Sequence, residues 1–177
     1  MTATAQALQM LQAAGANRIQ HPGGTLLAHV QRVSALLESW QASPPLTAAG
    51  LCHACYGTDG FPVRLLSLRD RPELEAVIGA EAEALVYFYA SCDRKASYPE
   101  LAKGRGLFTN RFTGARTTPD ARERRDFAEL TAANELDIAM VSPAFREREA
   151  AALLAMFTRW RPLLSEAAWK CCRYSPD

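Results

Sequence analysis

The fold is limited most by punctuation: proline and glycine recur between apolar runs of helical period, so the chain can form helices only as pieces of roughly 8 to 20 residues. A first helix is expected over Ala3 to Ala14, stopped by Gly15 and Asn17. The segment RIQHPGG follows, and its Pro22, Gly23 and Gly24 place His21 on a loop. From Thr25 to Trp40, Leu26, Val30, Val33, Leu36, Leu37 and Trp40 repeat at helical spacing, and His29, four residues before Val33, shares their inward face. Pro44 and Pro45 open a helix over Leu46 to Tyr56, on which Ala49, Cys52, His53 and Tyr56 share a face. Gly57 ends it, and the loop GTDGFP carries Thr58 and Asp59 to the end of that helix.

Asp70, Pro72 and Glu73 signal another N-terminus, with helical structure through Tyr89 interrupted at Gly79. The stretch from Cys92 to Thr118 is rich in glycine, threonine and basic side chains, and allows one short hairpin near 107–116, turning around Asn110 to Gly114. Thr118 and Pro119 then start a long helix with Phe127, Leu130, Thr131, Asn134, Asp137, Ile138 and Val141 on one face. Pro143 starts another, with Ala151, Leu154 and Phe157 inward, and Ser165 with Glu166 opens a last one ending near Tyr174. The expected architecture is an all-α helical bundle forming a single domain over 1–177, with no internal repeat.

Twenty Lys and Arg against nineteen Asp and Glu give a net charge of +1, which offers no basis for a nucleic-acid or membrane-surface partner. MTATAQALQMLQAAGANRIQ lacks a basic region and a continuous apolar run, and no apolar stretch reaches the roughly 20 residues that span a bilayer. Five cysteines, an odd number without framework spacing, fit reduced thiols. These features read together as a cytoplasmic protein with a small-molecule partner, and they leave a homo-oligomer open.

All three histidines, His21, His29 and His53, lie in the first third of the chain. Imidazole is the commonest neutral metal ligand and proton shuttle, so chemistry is expected there. Two inward histidines on consecutive antiparallel helices can bring their rings toward one point in a bundle core. His21, Asp59 and Asp137 are the candidates to complete a site for Fe, Mn or Zn. Asp137 is the better carboxylate, because an ionised group on an apolar face is costly unless paired or ligated. The expected metal ligands are therefore His21, His29, His53 and Asp137. The same two inward histidines also fit core residues that donate to backbone carbonyls. Cys52 and Cys55 flank His53, but without a second paired motif they read as small buried hydrophobes.

AHVQRVSALLESW followed by AGLCHACYGTDGF resembles the opening of the HD superfamily, helical metal-dependent phosphohydrolases with a histidine on one helix and a His-Asp pair at the end of another. Within that superfamily the chain has a distant similarity to the alarmone (ppGpp) hydrolase branch, where a later helix carries an Ala-Asp-x-Leu segment; TAANELDIAM stands at that place. Over nearly its full length the chain resembles more closely a set of small HD-related proteins with HPGGTL…H and H…YGTDGF patterns. The resemblance matches His29 and His53 to the family's histidines and Asn134 to its last ligand aspartate. Ala54 occupies the position of the name-giving aspartate.

What the resemblance implies is a divalent metal and hydrolysis of a small polar or anionic metabolite. Within that reading Asp59 and His53 are the catalytic candidates. Tyr56, Thr58, Arg94, Arg111 and Asn134 are the substrate-binding ones, the arginines for an anionic group. Three alternatives use the same scaffold: a non-catalytic binding protein, an iron-dependent oxygenase, and a metal-free enzyme using histidine and Asp59 as acid and base.

Overall fold

The computed structural model describes residues 2–103 and 105–173. Helix α1 (Ala3–Ala13) leads into a two-residue strand, β1 (Gln20–His21), which pairs antiparallel with β2 (Gly24–Thr25). His21 is thus held in a tight hairpin rather than a free loop. The hairpin closes because Gly23 turns with φ of 77°, and because a Cβ at Gly23 would lie 2.6 Å from Val141 Cγ2, where only glycine fits. Thr25 then caps α2 (Leu26–Ser39), its hydroxyl accepting from Ala28 N–H at 3.2 Å.

Helix α3 (Pro44–Cys52) is shorter than its sequence pattern suggests. His53 caps it: the ring Nδ1 lies 2.8 Å from the Gly50 carbonyl and takes the bond that a continuing backbone N–H would have made. The chain then turns through Tyr56, and the Cys55 carbonyl accepts from Leu65 and Leu66 N–H. After a 3₁₀ turn, α4 (Arg71–Ile78) and α5 (Ala80–Ala90) are separated at Gly79, as the sequence predicts. A one-turn helix α6 (Arg94–Ser97) precedes the second ribbon, β3 (Phe108–Thr109) with β4 (Arg116–Thr117), at the place expected for a hairpin.

The 21-residue helix α7 (Ala121–Val141) runs through the middle of the molecule, started by a reciprocal cap in which Asp120 accepts from Arg122 and Glu123 N–H and Glu123 accepts from Asp120 N–H. Helix α8 (Pro143–Arg159) and α9 (Glu166–Arg173) close the fold; Tyr174, where the sequence places the end of α9, lies outside the described residues. Ala151 and Leu154 of α8 are exposed, against the inward placement their spacing suggests. The helix packs through its last turn, where Met156 and Phe157, with Trp160 just beyond, are buried, and its first half stands away from the core.

The architecture is all-α apart from the two small ribbons. Its apolar interior has two lobes, one around Phe127, Leu130, Phe157 and Trp160 and the other around Leu11, Leu26, Leu51 and Leu74. Each such side chain contributes roughly 1.5–3 kcal/mol by leaving water. Helix α2 serves both lobes, with Val30 in one and Val33 and Leu37 in the other. The two lobes meet where α2, α3 and α7 face one another, and the buried polar residues His29, His53, Asn134 and Asp137 sit there. Among the described residues no helix is long and apolar enough to cross a membrane.

Candidate functional site

Helical period brings the site together. His29 lies on the inward face of α2, and Asn134 and Asp137, three residues apart, lie one turn from each other on the facing side of α7. His29 Nδ1 donates to Asp137 Oδ2 at 2.7 Å. Arg32, one turn along α2, holds the same carboxylate through Nε at 2.7 Å and Nη2 at 3.0 Å. Burial acts to raise the Asp137 pKa, but the hydrogen bonds from His29 and Arg32 outweigh it and hold the carboxyl below its ordinary range. An ionised carboxylate only accepts, so the His29 hydrogen facing it sits on Nδ1, and Nε2 is a lone pair whenever that is the ring's single N–H.

His53 has the same arrangement with a different partner. A backbone carbonyl only accepts, so Nδ1 carries the hydrogen. Burial, and then the neighbouring His29, push its pKa down to about 3, so the ring is neutral at ordinary pH and Nε2 is a second lone pair. Both Nε2 atoms lie 3.1 Å from the same atom, Asn134 Oδ1, itself an acceptor. The Asn134 amide is pinned from the other side, where Nδ2 donates to Glu135 Oε1 at 3.2 Å. Turning the amide over would supply hydrogens to the histidines but set its oxygen against the Glu135 carboxylate. A second hydrogen on His29 would satisfy one contact and leave the other. Three lone pairs therefore converge with no hydrogen available to all of them.

A cation placed between the three atoms would satisfy them together. Two ligands bonded to one zinc-like ion at roughly 2.0–2.1 Å stand about 3.0–3.4 Å apart, the range in which each Nε2 lies from Asn134 Oδ1. The outer contacts are those that metal-binding histidines usually have, one ring nitrogen on a carboxylate or a carbonyl and the other free for the ion.

The ligand quartet expected from the sequence is not assembled as such: among the described residues no three His, Cys, Asp or Glu side chains gather as a metal-binding group. Asp137 lies behind His29 and orients it instead of joining it. His21 stacks on the His29 ring, centroids 4.0 Å apart, with its buried Nδ1 unpartnered. Burial and then His29 bring the His21 pKa down to about 4. Asn134, expected to bind substrate, is the third acceptor.

The three acceptors lie at the polar end of a cavity of about 230 Å³. His21, Thr58, Arg94 and Glu135 complete that end, and Pro22, Leu26, Phe61, Ile138 and Phe145 line the rest. Ala54 also lines it, contributing no ligand where HD proteins have an aspartate. Thr58 serves the turn, its hydroxyl accepting from Phe61 N–H at 3.0 Å.

Three expected site residues are elsewhere. The Asp59 carboxylate lies outside the cavity lining and accepts from the backbone N–H of Arg94 at 2.9 Å. The Tyr56 hydroxyl donates away from the cavity, to Glu83 at 2.9 Å. Arg111 fastens the chain, donating to the carbonyls of Ala90 and Gly57. The sequence reading missed Arg32, Glu135 and Phe61. Arg32 was discoverable at three residues from His29 on one helix, and Glu135 as the neighbour of Asn134; Phe61 gave no signal.

The profile of a domain of unknown function, DUF6817, matches residues 10–94, which carry all three histidines and Arg94 but neither Asn134 nor Asp137. No curated protein and no solved structure matches the chain.

Proposed function

We propose that this protein is a metal-dependent enzyme of HD-like type, hydrolysing a small polar or anionic metabolite, with a divalent ion (Fe, Mn or Zn) held by His29, His53 and Asn134. The observation that carries this reading is the approach of two histidine Nε2 atoms to one amide oxygen, Asn134 Oδ1, each at 3.1 Å from it. The resemblance in the sequence supports it, since His29, His53 and Asn134 are the positions matched to HD ligands. A divalent ion there supplies Lewis acidity and a bound water whose pKa is lowered toward neutrality.

The chain's own residues do the rest. Asp137 and Arg32 fix the tautomer and angle of His29. Glu135 fixes the amide so that Oδ1 faces the histidines. Arg94 lies at the same end of the cavity and can hold a negative group beside that point. His21 and Phe61, their rings edge to face at 5.3 Å, line one side of the cavity.

A second reading is a protein that binds the same anion without turning it over. It is favoured by the placement of the acids: Glu135, the one carboxylate lining the cavity among the described residues, is already engaged by Asn134 and Arg94, and Asp59 lies outside. Protein loaded in turn with Mn²⁺, Zn²⁺ and, without oxygen, Fe²⁺ should separate the two. Phosphate or acid release would be followed for small phosphomonoesters, phosphodiesters and carboxylate esters. Turnover that depends on the ion and is absent in His53→Ala supports the enzyme; no turnover with any ion defeats it and leaves the binding protein.

A further inference from the structure

The charged group beside the lone-pair cluster is not saturated by its partner. Arg94 Nη1 donates to Glu135 Oε1 at 3.2 Å, and among the described residues this is the guanidinium's one hydrogen bond. Charge-assisted bonds of this kind normally run about 2.7–2.9 Å and are often double, and a guanidinium has five N–H donors. The Arg71–Glu83 pair in the same molecule meets that standard, with two bonds at 2.7 Å. Glu135 is shared with Asn134, so it offers Arg94 only part of a carboxylate.

The loop beside Arg94 is shaped to it. A Cβ at Gly60 would stand 2.6 Å from Arg94 Nη1, so any side chain there would push the guanidinium out of its present place. Beyond it the cavity wall is apolar, formed by Leu26, Phe61, Ile138 and Phe145. At about 230 Å³ the cavity is below the roughly 300–1,000 Å³ of pockets that enclose drug-sized ligands. A whole nucleotide is too large to be enclosed.

We propose that the cavity receives a small organic anion, a carboxylate or a phosphate monoester with one compact apolar body, its acid on Arg94 and its body against Phe61, Ile138 and Phe145. This rests on the cavity being the working site, as proposed above, and it narrows the substrate from any small polar metabolite to an amphipathic monoacid. The two halves of the wall select different things. Arg94 distinguishes an anion from its neutral isostere, and the apolar wall distinguishes an organic anion from inorganic phosphate.

Isothermal titration with benzoate, phenyl phosphate, inorganic phosphate and benzyl alcohol tests both halves, on chelator-treated and on Mn²⁺-loaded full-length protein. Benzoate and phenyl phosphate should bind at least tenfold more tightly than benzyl alcohol, and phenyl phosphate at least tenfold more tightly than inorganic phosphate. Arg94→Gln should abolish the first preference and Arg94→Lys should restore part of it. Gly60→Ala, which keeps the charge and displaces it, should weaken both anions severalfold. Phe61→Ala should remove the second preference. Circular dichroism of each variant reports whether it has folded.

Benzyl alcohol or inorganic phosphate binding as tightly as the organic anions, unchanged affinity in folded Arg94→Gln, or no binding of any probe would overturn the proposal. The outcomes separate from those of the metal reading. Anion preference that survives in chelator-treated protein, with no ion held by His29 and His53, removes the metal reading alone. An ion held by those histidines, with no anion bound in either form, removes this proposal alone.

Discussion

The buried network around Glu83 and the one around Asn134 are built on opposite principles. In the first, Glu83 accepts from Tyr56 O–H at 2.9 Å and from Arg71 Nε and Nη2 at 2.7 Å each, and Arg71 lies 3.9 Å over the Tyr87 ring. Every acceptor there faces a donor, and burial with the adjacent Glu83 carboxylate holds the Tyr56 hydroxyl protonated far above its ordinary range. In the second, His29, His53 and Asn134 place three acceptors on one point. The imbalance is local, since the outer contacts to Asp137, Arg32, Gly50 and Glu135 are as well matched as those of Glu83. A balanced network needs no further partner and ties the turn after α3 to α4 and α5. One whose periphery is balanced and whose centre is not leaves room for a further partner, which the reading proposed above takes to be a cation.

The difference can be broken from either side. The largest effect is expected in the balanced network: Glu83→Ala leaves a buried Tyr56 hydroxyl and an unpaired Arg71. Arg71 is partly exposed and keeps some hydration, so the expected loss is about 2–3 kcal/mol, read from urea unfolding. Metal content should be unchanged in that variant. A loss below about 0.5 kcal/mol would show that the network holds little.

The second effect depends on pH and belongs to the metal-free site. The folded-state pKa of His53 is lowered from 6.5 to about 3, so below pH 6.5 the unfolded chain binds a proton that the folded chain refuses. Stability should therefore fall as pH drops from 6.5 toward 3, by about 2 kcal/mol between pH 7 and 5. His21, lowered to about 4, adds to the same slope, less strongly because it is only partly buried. Chelator-treated His53→Gln should show a flatter dependence of melting temperature on pH, whereas an unchanged slope would mean that His53 is already charged in the fold.

A smaller effect is expected behind the cluster. Asp137→Asn removes the acceptor that fixes the His29 tautomer, and metal affinity should fall by roughly 10- to 100-fold with the fold intact. Equal affinity in titrations of wild type and variant would remove Asp137 from the site. The smallest effect is at Asp59, whose carboxylate only accepts from Arg94 N–H. Asp59→Asn should cost about 0.5–1 kcal/mol and leave the amount of bound metal unchanged; loss of bound metal would return Asp59 to the site.

How much of this was readable beforehand follows the physics of each contact. His29, Asn134 and Asp137 were legible because helical period alone puts them on inward faces. His53 was legible as inward but not as a helix cap, since the bond from its own ring to Gly50 ends α3 before the apolar pattern does. The partners of Tyr56, Arg94 and Arg32 are 27, 41 and 105 residues away in the chain, and no spacing rule reaches that far. Leu154 misled because its period fits an inward face, whereas the buried side chains of α8 are Met156 and Phe157 near its end. The placement of Asp137 and Asn134 within the site was hidden for a similar reason. Charge made the carboxylate look like the ligand, and only the three-dimensional hydrogen bonding shows it engaged with His29 and Arg32.

The most direct measurement is the metal content of protein purified without chelator or affinity-tag metal, by plasma mass spectrometry, for the wild type and for His29→Ala, His53→Ala and Glu83→Gln. One equivalent of a divalent ion in the wild type and in Glu83→Gln, lost in both histidine variants with helicity retained, is the expected result. No ion under any loading condition, or an ion kept by both histidine variants, would contradict the assignment of His29, His53 and Asn134 as a metal site.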